Sequence, residues 1–132
     1  MPAGVSRSPV HFIASSGKDL KALPVPVRGT FGRLLLDAQY GETPRGAKPL
    51  KGFGGAGVLE LIEDHETNTY RAVDTVRFTE AVYVLHVFQK KSKTGVATPR
   101  HEIELVKRRY ELARQHHEQH YLAAEKQEDR HA

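Results

Sequence analysis

The period of the apolar residues changes along the chain, and each change predicts an element. VHFIAS (residues 10–15) is a short apolar run between Pro9 and Gly17, the mark of a strand. After a helical turn or two over residues 18–23, Val27, Phe31, Leu34, Leu35 and Ala38 recur at helical spacing. Pro24 and Pro26 suit the first turn of that helix, where the backbone N–H has no partner within the helix, and Gly41 stops it. The pattern then turns strand-like in VLELIED (58–64), TYRAVDTVRF (69–78) and AVYVLHVF (81–88). The short links between these three runs predict an antiparallel meander. Thr98 and Pro99 read as the N-cap and first-turn proline of a last helix, with Ile103, Val106, Tyr110 and Ala113 as its apolar stripe. Past Arg114 the stripe fades into RQHHEQHYLAAEKQEDRHA, as in a frayed extension of that helix. The prediction is an α+β fold with one domain over residues 1–114 and a polar helical extension or tail over 115–132.

Composition narrows the chemistry. At 132 residues the chain suits one domain, and 39% hydrophobic with 27% charged residues fits a globular protein. The absence of cysteine excludes disulfides and thiolate metal sites. No apolar run approaches the roughly 18 residues that span a bilayer, and the start of the chain lacks a signal-peptide core, so the expectation is a cytoplasmic protein with no membrane partner. A net charge of +4 leans toward a polyanionic partner.

KGFGGAG, residues 51–57, carries glycines at the spacing GxGxxG, the fingerprint of a dinucleotide loop. That loop needs a strand before the glycines and a helix after them, so that the pyrophosphate meets a helix N-terminus. Here a proline-containing loop precedes them and a strand follows. No dinucleotide or other cofactor is expected, and the glycines serve to turn a basic loop into the sheet. His116 and His120 stand one helical turn apart, a spacing that can hold a metal ion. Without a separate third ligand in the sequence, no metal site is expected there.

Four segments in order, KPLKGFGGAGVLEL, TYRAV-TVRF, YVLHVFQKKSK and TPRHEIELVKRR, span residues 48–109. Together they resemble the RelE/ParE superfamily of bacterial toxins, and within it the HigB-type, phage-derived host-killing subgroup. The resemblance implies a RelE-like fold: N-terminal strand and helices, three-stranded antiparallel meander and C-terminal helix. It implies the toxin of a toxin–antitoxin pair, a ribosome-dependent endoribonuclease acting on mRNA. It also implies a helix-turn-helix, HigA-like antitoxin, with operator DNA reached only through that partner. A ParE-like non-enzymatic inhibitor, for example of DNA gyrase, is the alternative, as is a degenerate toxin that only binds its antitoxin.

Metal-independent RNA cleavage needs a base for the 2′-OH, an acid for the leaving 5′-oxygen and cations for the phosphate. Arginine, lysine and histidine can supply all three. Arg71 matches the arginine of the family's YR pair, a phosphate-contacting position, and reads as an exposed strand residue with Arg77 on the same face. Lys90 and Lys91 fall where the resemblance places a catalytic basic residue, and His86 shares the face of Lys90 by the two-residue period. A central-strand histidine is equally read as a satisfied core residue. Lys48, Lys51, Arg77, Lys93 and Arg100 are the candidate RNA-binding cations. The first meander strand departs from the family by carrying Glu60 and Glu63, either of which could act as the base. Asp74 interrupts an apolar face where relatives have an aromatic ring. A buried, unpaired carboxylate costs several kcal/mol, so Asp74 is expected to reach solvent, find a partner such as Arg28 or Arg33, or weaken the protein.

Overall fold

One mixed sheet organises the computed structural model, which describes residues 7–55, 57–90 and 97–122. In chain order the elements are β1 (Val10–Phe12), α1 (Ser16–Lys21), α2 (Val25–Gln39), β2 (Lys48–Pro49), β3 (Val58–His65), β4 (Asn68–Thr75), β5 (Val82–Lys90) and α3 (Arg100–His117). A π-helical turn, Glu118–Leu122, continues α3. The strands lie in the order β1-β5-β4-β3-β2. The expected meander is β3-β4-β5, antiparallel throughout, with Glu60 opposite Val73 and Arg71 opposite both Ile62 and Phe88. The N-terminal run adds β1 parallel to β5, with Val10 against Val82. Two residues read as loop, Lys48 and Pro49, form the other edge by pairing antiparallel with β3.

Alternation along the strands separates two cores. On one face α2 presents Val27, Phe31, Leu35 and Ala38 to Leu61, Tyr70, Ala72, Val84 and Val87. Val27 and Phe31 are fully buried, each worth about 1.5–3 kcal/mol of burial. On the other face α3 presents Val106 and Ala113 to Val58, Val73, Tyr83 and Leu85, with Tyr110 packed alongside. The sheet's twist is interrupted once. The β4–β5 register shifts between Val73 and Asp74, so Val73 faces His86 while Asp74 faces Val84, which leaves Leu85 as the extra residue of a bulge.

The helix ends follow the prolines and glycines. Pro24, at φ −54° and ψ 143°, precedes α2, and Gly41 follows it at φ 81°. Pro99 precedes α3 in the same conformation, with no side-chain cap. Thr98 is therefore not the N-cap; its hydroxyl is engaged elsewhere, as described below. The GxGxxG glycines connect β2 to β3, with Gly52, Gly54 and Gly57 all at positive φ. A strand, β3, follows them where a dinucleotide loop would have the helix whose N-terminus receives the pyrophosphate. β4 ends at Thr75, three residues short of the expected strand, so Val76, Arg77 and Phe78 leave its face.

The chain past Arg114 is packed rather than frayed as far as it is described. His117 is buried, stacks on Phe78 at 4.6 Å and bonds Glu80 at 2.5 Å. The Tyr83 hydroxyl meets His116 Nδ1 at 2.7 Å, and Tyr121 reaches His11 at 2.7 Å, tying this end of α3 to β5 and β1. Histidines with aromatic partners can pack as amphipathic side chains, a role that the fading apolar stripe conceals.

Candidate functional site

The two-residue period of β4 sends Arg71 to the α3 face, and the same period on β3 sends Glu60 there. They are diagonal neighbours across the pair of strands. Arg71 Nη1 donates to Glu60 Oε1 at 2.7 Å and to Thr98 Oγ1 at 3.0 Å. Thr98 Oγ1 in turn donates to Glu60 Oε2 at 2.5 Å. Both carboxylate oxygens are thus engaged, and the pair is deeply buried, with Arg71 2% and Glu60 6% exposed. Taking these charges from water is costly, and the close geometry with a third hydrogen-bonding group is what offsets it. Arg71 is therefore not the exposed strand residue expected from the sequence.

A groove of ≈ 300 Å³ opens over this network. Its walls are β2 and the residues after it (Lys48, Pro49, Leu50, Lys51), Ile62 of β3, the Ala97–Thr98 backbone and Ile103 of α3. Lys48 and Lys51 are exposed, so they form the rim above the buried Arg71–Glu60 pair. A second cavity, of ≈ 260 Å³, lies near the other end of β3 and β4. Among the described residues of its lining, Glu42 is the charged one and there is no cation, so an anion has reason to choose the first.

Of the predicted catalytic residues, Lys90 ends β5 and is buried, with its ammonium donating to the Ala97 carbonyl at 2.5 Å. Burial first, and then the Arg71 charge, hold its pKa below the usual lysine value, with Glu60 opposing. Lys90 and Arg71 are thus brought within each other's field at the two sides of Ala97–Thr98. His86 is placed differently. Its Nε2 meets Glu102 of α3, its Nδ1 lies 3.3 Å from Arg109 Nη1, and its ring stacks on Phe88. Burial is the largest influence on it and lowers its pKa, while Glu102 acts in the opposite direction. It does not line the groove, and its surroundings match the core-histidine reading.

Lys91 and Lys93 lie outside the described residues. Lys48 and Lys51 come together at the groove, whereas Arg77 and Arg100 do not. Arg77 lies past the end of β4, its backbone beside Gly57, and Arg100 is the exposed first residue of α3. Of the two candidate glutamates, Glu60 faces the groove, and Glu63, an odd number of residues away, faces the opposite side of the sheet. The residue that sequence reasoning missed is Thr98. Its position before Pro99 resembles a cap signal, and only the fold brings it against β3 and β4.

Asp74 sits on the α2 side of the sheet, three residues from Arg71. It is fully buried, opposite Leu59 and Val84. Neither carboxylate oxygen has a hydrogen-bond partner among the described residues. Burial pushes its pKa up to about 7, with its own backbone amide pulling weakly the other way. The two expected partners are elsewhere: Arg28 donates to the Lys21 carbonyl and Arg33 to the Thr30 hydroxyl. Asp74 therefore neither reaches solvent nor, among the described residues, finds a hydrogen-bond partner for either carboxylate oxygen.

Among the described residues, no cluster of three or more histidine, aspartate or glutamate side chains could hold a metal ion, and no helix is long and apolar enough to cross a membrane. No curated protein matches the chain. Among solved structures, the chain is similar to one in the toxin–antitoxin complex RelBE2 from Mycobacterium tuberculosis, with 21% identity over 65% of this chain and 94% of that one, at a TM-score of 0.44. The model of the phage-derived Gp49-like proteins matches residues 18–111, the stretch that holds α2, the whole meander and most of α3, and the chain belongs to that family.

Proposed function

We propose that this protein is the toxin of a toxin–antitoxin pair, of the RelE type and HigB-like, and that it cleaves mRNA during translation. The observation that carries the reading is the groove, where a buried arginine lies beneath two exposed lysines, Lys48 and Lys51. Guanidinium suits a phosphodiester because its planar fork pairs with two oxygens, and flanking ammonium groups supply attraction without fixed geometry. Membership of a phage-derived family and the four ordered motifs support the same reading. In the reaction, Arg71, Lys48 and Lys51 hold the phosphate and stabilise the charge that gathers on it. Glu60, beside Arg71, is the carboxylate placed to accept the 2′-OH proton, and Lys90 is the nearby cation with a lowered pKa. The partners are the ribosome with its mRNA and a helix-turn-helix antitoxin, through which operator DNA is reached. The site of action is the cytoplasm.

Replacing both rim lysines, Lys48→Ala with Lys51→Ala, tests this reading without disturbing the core. Cleavage of a translated mRNA, read by primer extension, should fall by at least tenfold, and the salt dependence of RNA binding should shrink by about one to two phosphate contacts. Undiminished cleavage would remove the groove from the mechanism. The ParE-like reading has one observation in its favour: Arg71 and His86 are each already engaged by a carboxylate, Glu60 and Glu102. A gyrase supercoiling assay beside the cleavage assay separates the two activities. Inactivity in both, with tight antitoxin binding, identifies a degenerate toxin.

A further inference from the structure

Arg71 already holds an anion. The Glu60 carboxylate offers it an oxygen at 2.7 Å, and Thr98 holds the second oxygen at 2.5 Å while also accepting from Arg71. The pair is buried, yet the groove opens directly onto it, with Glu60, Arg71 and Thr98 all in its lining. Charge is distributed unevenly over this depth. The Arg71–Glu60 pair compensates itself, so the net positive charge that an incoming anion meets comes from the exposed Lys48 and Lys51 and from the buried Lys90 ammonium at the Ala97 carbonyl.

A phosphodiester and a carboxylate present the same feature to Arg71 and Thr98, two oxygens sharing one negative charge. They cannot occupy the same donors together, because like charges at that distance repel in a low-dielectric site. We propose that Glu60 is a built-in competitor for phosphate, so that the Arg71 position is a latent anion site which a phosphodiester enters by exchanging with the Glu60 carboxylate. The inference rests on the RNA reading above and adds the control of entry to it. A lone phosphate can be held at the rim, where nothing compensates the exchange. An oligonucleotide keeps one phosphate on Lys48 and Lys51 while the next takes the place of Glu60, so the exchange favours consecutive phosphodiesters. Glu60 thereby makes the groove selective for a strand over a small anion.

The test uses the purified full chain, a fluorescein-labelled hexauridylate and inorganic phosphate as probes, and moderate salt. Glu60→Gln keeps the shape and a carbonyl for Arg71 but removes the competing charge. It should tighten hexauridylate binding by about tenfold, the scale of one charge-assisted hydrogen bond released, and should make phosphate binding measurable. Glu60→Ala also removes the competing charge while leaving Arg71 and Thr98 as donors, and should tighten hexauridylate binding by a comparable factor. A cooperatively melting Glu60→Gln protein with unchanged or weaker binding overturns the proposal, as does the absence of hexauridylate binding to every form. If both variants fail to fold, the parent protein decides: hexauridylate binding without measurable binding of inorganic phosphate supports the exchange, and phosphate competing with hexauridylate at a similar affinity overturns it. The mRNA cleavage assay on the parent protein runs alongside. Cleavage without any gain in the variants sinks the competitor and leaves the nuclease standing, whereas a gain without cleavage sinks the nuclease and leaves the competitor.

Discussion

Arg71 and Asp74 lie three residues apart on β4, both are buried, and they face opposite sides of the sheet. Arg71 meets a carboxylate and a hydroxyl placed by two other segments of the chain. Asp74 meets the aliphatic neighbours Leu59 and Val84 in register and has no hydrogen bond to either oxygen among the described residues. Burial alone therefore does not decide the fate of a charge. On the α3 face the partners are present, and Arg71 and Glu60 lie 2.7 Å apart as an ion pair in the core. On the α2 face they are absent, and the carboxyl responds by holding its proton to about pH 7.

The largest effect should come from breaking the paired side. Arg71→Ala leaves Glu60 buried without its cation and should lower stability by about 3–5 kcal/mol, read by urea unfolding at pH 7. A loss below about 1 kcal/mol would mean that the pair opens to solvent readily. Loss of toxicity in this variant would report misfolding as well as chemistry, which is why the rim lysines are the better functional probe.

The unpaired side should show itself through pH. Asp74 has a folded pKa of about 7 against 3.8 for the free group, so the folded chain binds the proton more tightly than the unfolded one. Its contribution is complete below about pH 4 and is lost as pH rises toward 7. At about 1.4 kcal/mol for each unit, the loss is of order 4 kcal/mol. Asp74→Asn cannot titrate and should remove that slope. Allowing for an unpaired amide, it should be more stable than the parent by about 2 kcal/mol at pH 8. Valine should also stabilise at pH 8, since it is closer to aspartate in volume than the aromatic ring favoured by the family pattern, which risks overpacking a fully buried site. Parallel stability–pH curves for parent and Asp74→Asn would contradict the unpaired reading.

A smaller effect of opposite sign belongs to His11 of β1 and His116 near the end of α3. Burial holds the pKa values of His11 and His116 below the free value of 6.5, helped by neighbouring histidines. Their folded forms bind protons less tightly than the unfolded chain, so their contribution is present above pH 6.5 and lost as pH falls below it. His116→Gln should therefore weaken the acid-side decline in stability without changing the alkaline side. An unaltered acid limb would show that the Tyr83–His116 contact is not sensitive to charge.

The sequence makes one side of this contrast far easier to see than the other. The helical stripe of α2, the three strands of the meander and the stripe of α3 are periodic, and local periodicity survives folding. Asp74 is visible as a polar residue on an apolar face for the same reason. The Glu60–Arg71–Thr98 network is not, because it joins residues from three elements, and nothing local distinguishes its threonine from a helix cap. Lys48 and Pro49 were equally hidden, since two residues carry too little alternation to announce an edge strand. Arg71 is held by Glu60 of β3 and by Thr98, a tertiary arrangement with no signature in β4.

The most direct test of the whole account is an NMR titration of the labelled protein with a 2′-O-methyl oligonucleotide, which binds but cannot be cleaved. Binding in the groove should concentrate the shifts at Lys48, Lys51, Ile62, Arg71, Thr98 and Ile103, with the outer residues of α2 and the Asp74 region unmoved. Shifts centred on α2, or none at the groove at a concentration that saturates binding, would contradict it.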